Sequence, residues 1–576
     1  MIRMSNSNLT IHVEQYIEEI KVLAKYLGTP NSIRAAIGIV CLDEFGYHNF
    51  VELSKIFDRL MPQIDEEYGK FTCWCVGKLI HHPSIEKARY VSHLFTRVIG
   101  WARAKGRRMR PLNAAQTLES LSLNAGSIVV MFFQSLQNVI WHLISHPSLK
   151  ILEATAKAIS AYGRAIIRYG RTDLKNFMDF FTSLCNNLLY YDDPIRKAAA
   201  LSLLTVLVNE NPNYFVSSFS TLYELVNDNT ENMPYIVQLK SFILLCELSR
   251  IDATQFMDTV SNGHLMDIGD LLLEYPREVA KSLSLLCTTV KPFMKNNINK
   301  IFEYAQELID EEESDSAFII LTAIAKEFEN SISILDTTKL IDLVQKKITL
   351  EYNDFFISLA NSPAGLPNQV SEVLCQRLFN ELRDSKNLNA IKLISKLPKE
   401  TLHHQENFIE QLLWPLARDK DVDIRNAVPK AVFNLGRSSD TISLDSISKK
   451  FLQQVIFEES VSVRCHIIKA ISNNVIDSLA SPEMMKFYEI FINDESISVR
   501  EIVYKLIAKL STINPMATTS LARKGMLDCF FIIRRVPSIR TKSRFLRIIP
   551  EIIKASQSTI KAYSGGILEI IMEIGR

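Results

Sequence analysis

The stretch FTCWCVGKLIHHP (71–83) places Cys73, Cys75, His81 and His82 in one short run. Cysteine thiolates and imidazoles are the usual zinc ligands. The spacing does not serve that role. Zinc sites favour Cys-x2-Cys, whereas this is Cys-x-Cys inside a helical pattern, where the two thiols point about 200° apart. The run reads as a structural segment of a helix. The pair His403–His404 in LHHQENF (402–408) reads as a solvated turn before a helix. LARDKDVDIRN (416–426) looks superficially like a kinase catalytic loop, in which the base Asp and the metal-binding Asn are five residues apart. Here Asp419 and Asn426 are seven apart, and no Gly-rich phosphate loop, strand lysine or D-F-G accompanies them. No Walker A motif, nucleophile elbow or H-E-x-x-H occurs either. The expectation is a non-catalytic chain with no catalytic, cofactor-binding or metal-binding residues.

Two charge clusters remain. Arg103, Lys105, Arg107, Arg108 and Arg110 form the densest basic group, able to meet phosphate, a lipid headgroup or an acidic partner, or simply to solvate a turn. The acidic run Asp310, Glu311, Glu312, Glu313 and Asp315 reads as a turn. Over the whole chain 65 Lys+Arg balance 64 Asp+Glu, which argues against a nucleic-acid surface and weakens an import-receptor reading, since those receptors tend to be acidic. Nine scattered cysteines, most inside apolar helical runs, do not form a disulfide framework and point to a reducing cytoplasmic or nuclear compartment. The N-terminus MIRMSNSNLTIHVEQYIEEI lacks the apolar core of a secretory leader. GSIVVMFFQSLQNVIWHLI (126–144) is interrupted by Gln134, Gln137 and Asn138, so a repeat helix is expected there and no transmembrane segment.

What could position these residues is visible in DDPIRKAAALSLLTVLVNENP (192–212). Asp193 suits an N-cap and Pro194 the first helical position. Ile195, Ala198, Ala199, Leu203, Val206 and Leu207 share one face, and Ala200, Leu201, Leu204 and Val208 cover the other side. A helix apolar nearly all round must be enclosed on most sides. Asn209, Asn211 and Pro212 end it. The pattern recurs in DVDIRNAVPKAVFNLG from Asp421, ESVSVRCHIIKAISNN from Glu459 and DESISVREIVYKLIAKL from Asp494. Arg425 and Arg464 are 39 residues apart, Arg464 and Arg500 36. Looser copies begin at Thr29, His82 and His146. A drifting helical period of about 36–47 residues marks a HEAT or armadillo-type repeat. The predicted fold is therefore an all-α solenoid of about 14 helical hairpins. Gly (18) and Pro (19) are both scarce, and 47% of residues are apolar, enough for a long continuous core.

The best breaker, NSPAGLPNQ (361–369), divides an expected N-terminal array (1–360) from a C-terminal one (370–576). Between about 215 and 400 the register is poorly marked. In the repeat at 494–515, Val499, Ile502, Val503, Leu506 and Leu510 form the expected buried stripe, and Glu501, Lys505 and Lys509 face out.

Two regions carry more than a generic repeat. One runs from NSIRAAIGIVCLDEFG through VIGWARAKGRRMRPLNAAQTLESLSLNAGSIVVMFFQSLQNVIWHLISHP and contains, in order, Trp101, Gly106-Arg107-Arg108, Ala114-Ala115 and Phe132-Phe133. The other, ISVREIVYKLIAKLSTINPMATTSLARKGMLDCFF (497–531), contains Val499-Arg500-Glu501, Leu510-Ser511, Asn514-Pro515 and Arg523-Lys524. Over roughly 30–165 and 455–575 the chain resembles the N-terminal HEAT-repeat region of target-of-rapamycin (TOR) serine/threonine kinases. It departs from that family in lacking the glycine-rich turn after the first repeat and in its short linkers. The resemblance implies a scaffold in nutrient and growth signalling without the FAT and kinase regions. It also implies raptor-like or rictor-like partner subunits and a part in homodimerising a larger complex. No nucleic-acid partner is expected, and the location would be cytoplasmic, at endomembranes or nuclear. GGILEIIMEIGR ends in mid-helix at Arg576, so further chain or a fragment is expected. The scaffold subunit of a type-2A protein phosphatase and a nuclear transport receptor are the alternatives.

Overall fold

The computed structural model describes residues 87–556, apart from 105–108, 145, 147, 170–173, 229–232, 261–267, 329–336, 364, 399–400, 403–407, 438–442, 476 and 536–538, together with 22, 73, 74, 77, 564 and 565. The described residues form 26 α-helices and no strand. The early repeat copy from Thr29 lies outside them. Two compact units divide at Tyr304 and Ala305.

Each unit is a row of helices packed side by side, alternating in sequence with flanking helices. The row of the first unit is α1 (Met109–Asn124), α2 (Leu149–Tyr169), α3 (Pro194–Glu210), α4 (Tyr235–Leu248) and α5 (Pro276–Thr289), each against the next. The second row is α6 (Ser314–Glu327), α7 (Leu350–Ala360), α8 (Leu388–Ile394), α9 (Val422–Gly436), α10 (Val461–Ser472), α11 (Ile497–Leu510) and α12 (Ile539–Ala555). The fold is thus an all-α solenoid of helical hairpins, as expected. Residues 361–363 and 365–367 link two helices inside the second unit, with Gly365 at φ 62 and a helix starting at Asn368.

Helix α3 shows why the rows form. Asp193 accepts a hydrogen bond from the N–H of Ile195 at 3.0 Å, and Pro194 takes the first helical position. Ala198, Ala199, Ala200, Leu201, Leu203, Leu204, Leu207 and Val208 are all buried. The helix touches α2, α4 and its hairpin partner Leu174–Tyr190, so three sides are covered. Two members of the expected stripe depart from it: Ile195, in the first turn, is 38% exposed, and Val206 is half-buried. In α11, Val499, Val503, Leu506 and Leu510 are buried as expected, while Ile502 is half-buried at the edge of the stripe. Glu501 and Lys505 pair at 2.8 Å.

Successive hairpins approach closely at glycine. A Cβ on Gly525, in the flanking helix Pro515–Arg535, would stand 2.4 Å from the Tyr504 ring of α11. The run 126–144 is not one helix. A 3-10 segment (Gly126–Phe132) starts from Gly126 at φ 63, and the α-helix begins only at Phe133. The Tyr162 hydroxyl of α2 donates to the carbonyls of Val129 (2.8 Å) and Val130 (3.2 Å), holding that tighter segment. The stretch passes a membrane span's length and composition, yet Leu136, Val139, Ile140 and Leu143 are fully buried in the hairpin.

Leu506 is fully buried. Its replacement by Asp leaves an unpaired charge in the packed row, at a cost of roughly 3–5 kcal/mol. The melting temperature of Leu506→Asp by circular dichroism should fall well below wild type; an unchanged value would place Leu506 outside the core.

Candidate protein-interaction groove

None of the chemically suggestive clusters assembles into a reactive centre among the described residues. Cys73 is buried, its Sγ donates to the carbonyl of Asn113 at 3.5 Å, and burial pushes its thiol up to about 12. A thiol so placed is a poor nucleophile at neutral pH. Cys75, His81, His82, His403 and His404 lie outside the described residues. Cys185, Cys246, Cys287, Cys375 and Cys529 are buried thiols outside any disulfide. No group of three or more His, Cys, Asp or Glu suited to a metal occurs among the described residues.

The charge clusters fare differently. Arg103 is exposed and its Nε donates to His142 Nε2 at 2.9 Å, while Lys105, Arg107 and Arg108 lie outside the described residues. Asp310 to Glu313 form an exposed turn with Glu312 at φ 65. Asp315 instead accepts from the Thr349 hydroxyl at 2.7 Å, joining the starts of α6 and α7.

Asp419 and Asn426 belong to a junction built three times over. Arg425 of α9 gives both carbonyls of its own preceding turn a donor, Asp419 at 2.7 Å and Lys420 at 3.1 Å. Its Nε and Nη2 meet the two oxygens of Glu458 at 3.1 and 3.0 Å, in the turn of the next hairpin. Glu458 Oε1 also accepts from the N–H of Ser460, at the head of α10. One repeat on, Arg464 donates to the carbonyls of Glu458 and Glu459 and, through Nη2, to Asp494 at 3.0 Å. Burial works against its charge, but Asp494 and then Glu495 outweigh it and hold the guanidinium above its ordinary value. Arg500 then donates to the Asp494 carbonyl at 2.6 Å. Each arginine thus satisfies turn carbonyls that no helix would, and the first two also clamp the following repeat. Asn426 accepts from the Ser462 hydroxyl in the same junction. Asp419 accepts from the N–H of Asp421 at 3.0 Å and from Lys386 at 2.7 Å.

Beside this ladder runs a groove of about 1020 Å³, between the flanking segment 408–416 and the flanking helix Leu444–Phe457. Trp414 forms its floor, tilted against Phe451 at 4.7 Å. The ammonium of Lys450 sits 5.1 Å above the indole and 3.1 Å from Glu410. Trp414 Nε1 is buried and has no hydrogen-bond partner among the described residues. Phe457, at the mouth, is 84% exposed. Gln454 donates to the carbonyl of Ala417 across the groove at 2.6 Å. Trp and Phe beside a cation over the indole are residue types enriched at protein-binding hot spots.

Sequence reasoning missed this groove. Trp414 and Phe457 sit on different hairpins, and each reads locally as an ordinary helix residue. The one available signal was Phe457 itself, an aromatic at the end of a helix whose buried stripe is already complete at Val455.

No protein-family model matches the chain. It is 23% identical over 130 residues to the serine/threonine-protein kinase TOR2 of Saccharomyces cerevisiae, and 24% over 134 residues to the kinase mTor of Drosophila melanogaster. Each match covers 23% of this chain and only 5% of the relative. The kinase tor1 of Schizosaccharomyces pombe is 22% identical over 192 residues, covering 32% of this chain and 8% of the relative. Among solved structures, the karyopherin Kap121p bound to the SUMO protease Ulp1p superposes with a TM-score of 0.67 at 10% identity, over 99% of this chain and 66% of that one. Yeast importin-beta (Kap95p) follows at 0.52 and 12%, over 98% and 77%. These structures share the helical-repeat fold.

Phe457→Ala should leave stability within about 0.5 kcal/mol of wild type, because the ring packs on little, whereas Trp414→Ala removes a ring packed on Phe451 and should cost about 2 kcal/mol or more. Denaturant titration of both variants checks the difference. A second expectation concerns pH. Hydrogen bonds from the Asp421 N–H and from Lys386 hold the Asp419 carboxyl below its ordinary range. Its contribution is therefore complete above the unfolded-state value near ~3.9 and is lost as pH falls through the lower folded value. The stability gap between wild type and Asp419→Asn should be widest at neutral pH and close on acidification, measured as melting temperature against pH; a constant gap would refute it.

Proposed function

We propose that the chain is a non-catalytic HEAT-repeat scaffold resembling the N-terminal arm of TOR kinases, which holds protein partners in TOR-complex assembly and nutrient and growth signalling. The observation that carries this is the sequence similarity to TOR kinases of two yeasts and a fly, on a chain whose fold is a helical-repeat solenoid throughout its described length. The Trp414–Phe457 groove adds a surface suited to protein contact. Buried, high-pKa thiols such as Cys73 and Cys185 also favour a scaffold over an enzyme.

On this reading the partners are raptor-like or rictor-like subunits, and the chain takes part in dimerising a larger complex in a cytoplasmic, endomembrane or nuclear setting. The mechanism is geometric: stacked hairpins present side chains at a fixed repeat spacing, so a partner is oriented without any bond being made or broken.

The test is retention on the immobilised full chain. A raptor-like or rictor-like subunit should be retained, and Phe457→Ala should weaken that retention if the groove is the contact. Retention of a type-2A phosphatase catalytic subunit, or of a small GTPase, in place of the TOR-complex subunits would overturn the proposal in favour of the corresponding alternative.

A further inference from the structure

The ladder arginines mark a second register that the scaffold reading does not use. Five residues after Arg425, Arg464 and Arg500 stand Lys430, Lys469 and Lys505, one on each of α9, α10 and α11. All three are exposed. Five residues is about 1.4 helical turns, so each lysine lies about 140° round the helix from its arginine, and equivalent positions on packed neighbours form a line across the row. Lys509 lies one turn beyond Lys505 and donates to the carbonyl of Ser472, and Lys554 of α12 lies further along. Lys469, Lys505, Lys509 and Lys554 line a groove of about 810 Å³. Arg437 adds a cation at the far end of α9.

The acids on this face are fewer. Glu501 is held by Lys505 at 2.8 Å and Glu551 by Lys554 at 3.5 Å. Asp423 sits at the opposite end of α9. Lys430 and Lys469 make no ion pair among the described residues. On a chain whose total charge is nearly balanced, this is a local positive strip. An inner surface for basic cargo would carry the opposite sign.

We propose that the α9–α11 face binds an extended acidic peptide segment, its carboxylates meeting Lys430, Lys469 and Lys505 in turn. Packed helix axes lie about 8–10 Å apart. A peptide in the polyproline II conformation advances roughly 3.1 Å per residue with three residues per turn, so every third side chain shares one face about 9 Å apart, the distance from one helix to the next. A segment with an acid at every third position therefore matches the strip, and one with its acids bunched together does not. This deepens the scaffold reading by naming the chemistry of one partner surface.

Fluorescence anisotropy with the full chain tests it. The probe is a labelled peptide with Glu at every third position; comparison peptides carry the same residues with the Glu contiguous, or Lys in place of Glu. Wild type should bind the spaced peptide, lose affinity as salt rises, and prefer it several-fold over the contiguous one. Combined Lys430→Glu, Lys469→Glu and Lys505→Glu should weaken binding at least about tenfold. The same three positions changed to Gln should weaken it less, with melting temperature near wild type, which separates charge loss from unfolding. Lys449→Glu with Lys486→Glu, on flanking helices, should have no effect. No binding by wild type, equal affinity for the contiguous peptide or for single-stranded poly-dT, or equal loss in the flanking variant would overturn the inference. Retention of TOR-complex subunits alongside absent peptide binding would sink this proposal and leave the scaffold reading intact; the reverse pattern would do the opposite.

Discussion

The structure depends on one constraint: a row helix apolar on nearly every side cannot be soluble alone, and its only cover is the next copy of itself. In α3 the buried set includes Ala198, Ala199 and Ala200 as well as four leucines. The alanines let neighbouring backbones approach, and the leucines fill the gaps. Burying such a helix on two neighbours and a partner leaves a difficulty at its ends, because the turns between hairpins carry carbonyls that no helix satisfies. In the second unit the ladder arginines solve that and the stacking problem with one side chain. Arg425 and Arg464 each occupy two turns, their own and the next, so the polar and apolar parts of the junction form together.

That double duty explains why the C-terminal repeats were easy to read and the middle was not. An arginine at a fixed offset from an N-cap is a visible sequence mark, and it recurs because the geometry of the turn recurs. Between 215 and 400 the same junctions are made by short polar side chains with no fixed spelling. Thr349 donates to Asp315, Asn389 to the carbonyl of Ile348, and Asn353 to the carbonyl of Asn389. Ser249 and Thr289 share a hydrogen bond between the ends of α4 and α5. The physical task is unchanged, but Ser, Thr and Asn perform it in many arrangements, so the period fades from the sequence while helices still pack side by side within each unit.

The errors of detail have equally local causes. Ile195 belongs to the apolar stripe by spacing, yet it precedes the point at which neighbouring helices close over α3. The run 126–144 has helical composition throughout, but Gly126 at positive φ and the reach of the Tyr162 hydroxyl from α2 turn its first part into a 3-10 segment. Both depend on what stands opposite in space, a neighbouring hairpin for Ile195 and the partner helix α2 of the same hairpin for the 3-10 segment. The Trp414 groove was illegible for the same reason: its walls come from two hairpins about 40 residues apart in sequence, and only the exposed Phe457 hints that something is left over.

This division bears on how function is encoded in such a chain. Karyopherin structures superpose on nearly its whole length at 10% identity, so the stack is specified by periodicity and by junction chemistry that many residue choices supply. Residues under that constraint say little about partners. The informative positions are those the stack does not need: Phe457, whose ring is largely exposed, and Lys430 and Lys469, which pair with no acid among the described residues. Keeping a large aromatic ring in water is unfavourable, and aligning like charges across adjacent helices costs further electrostatic energy. Neither feature stabilises the hairpins that carry it. A solenoid can bear such costs because each repeat is held by its neighbours' buried rows, leaving the outer positions free to be spent on recognition.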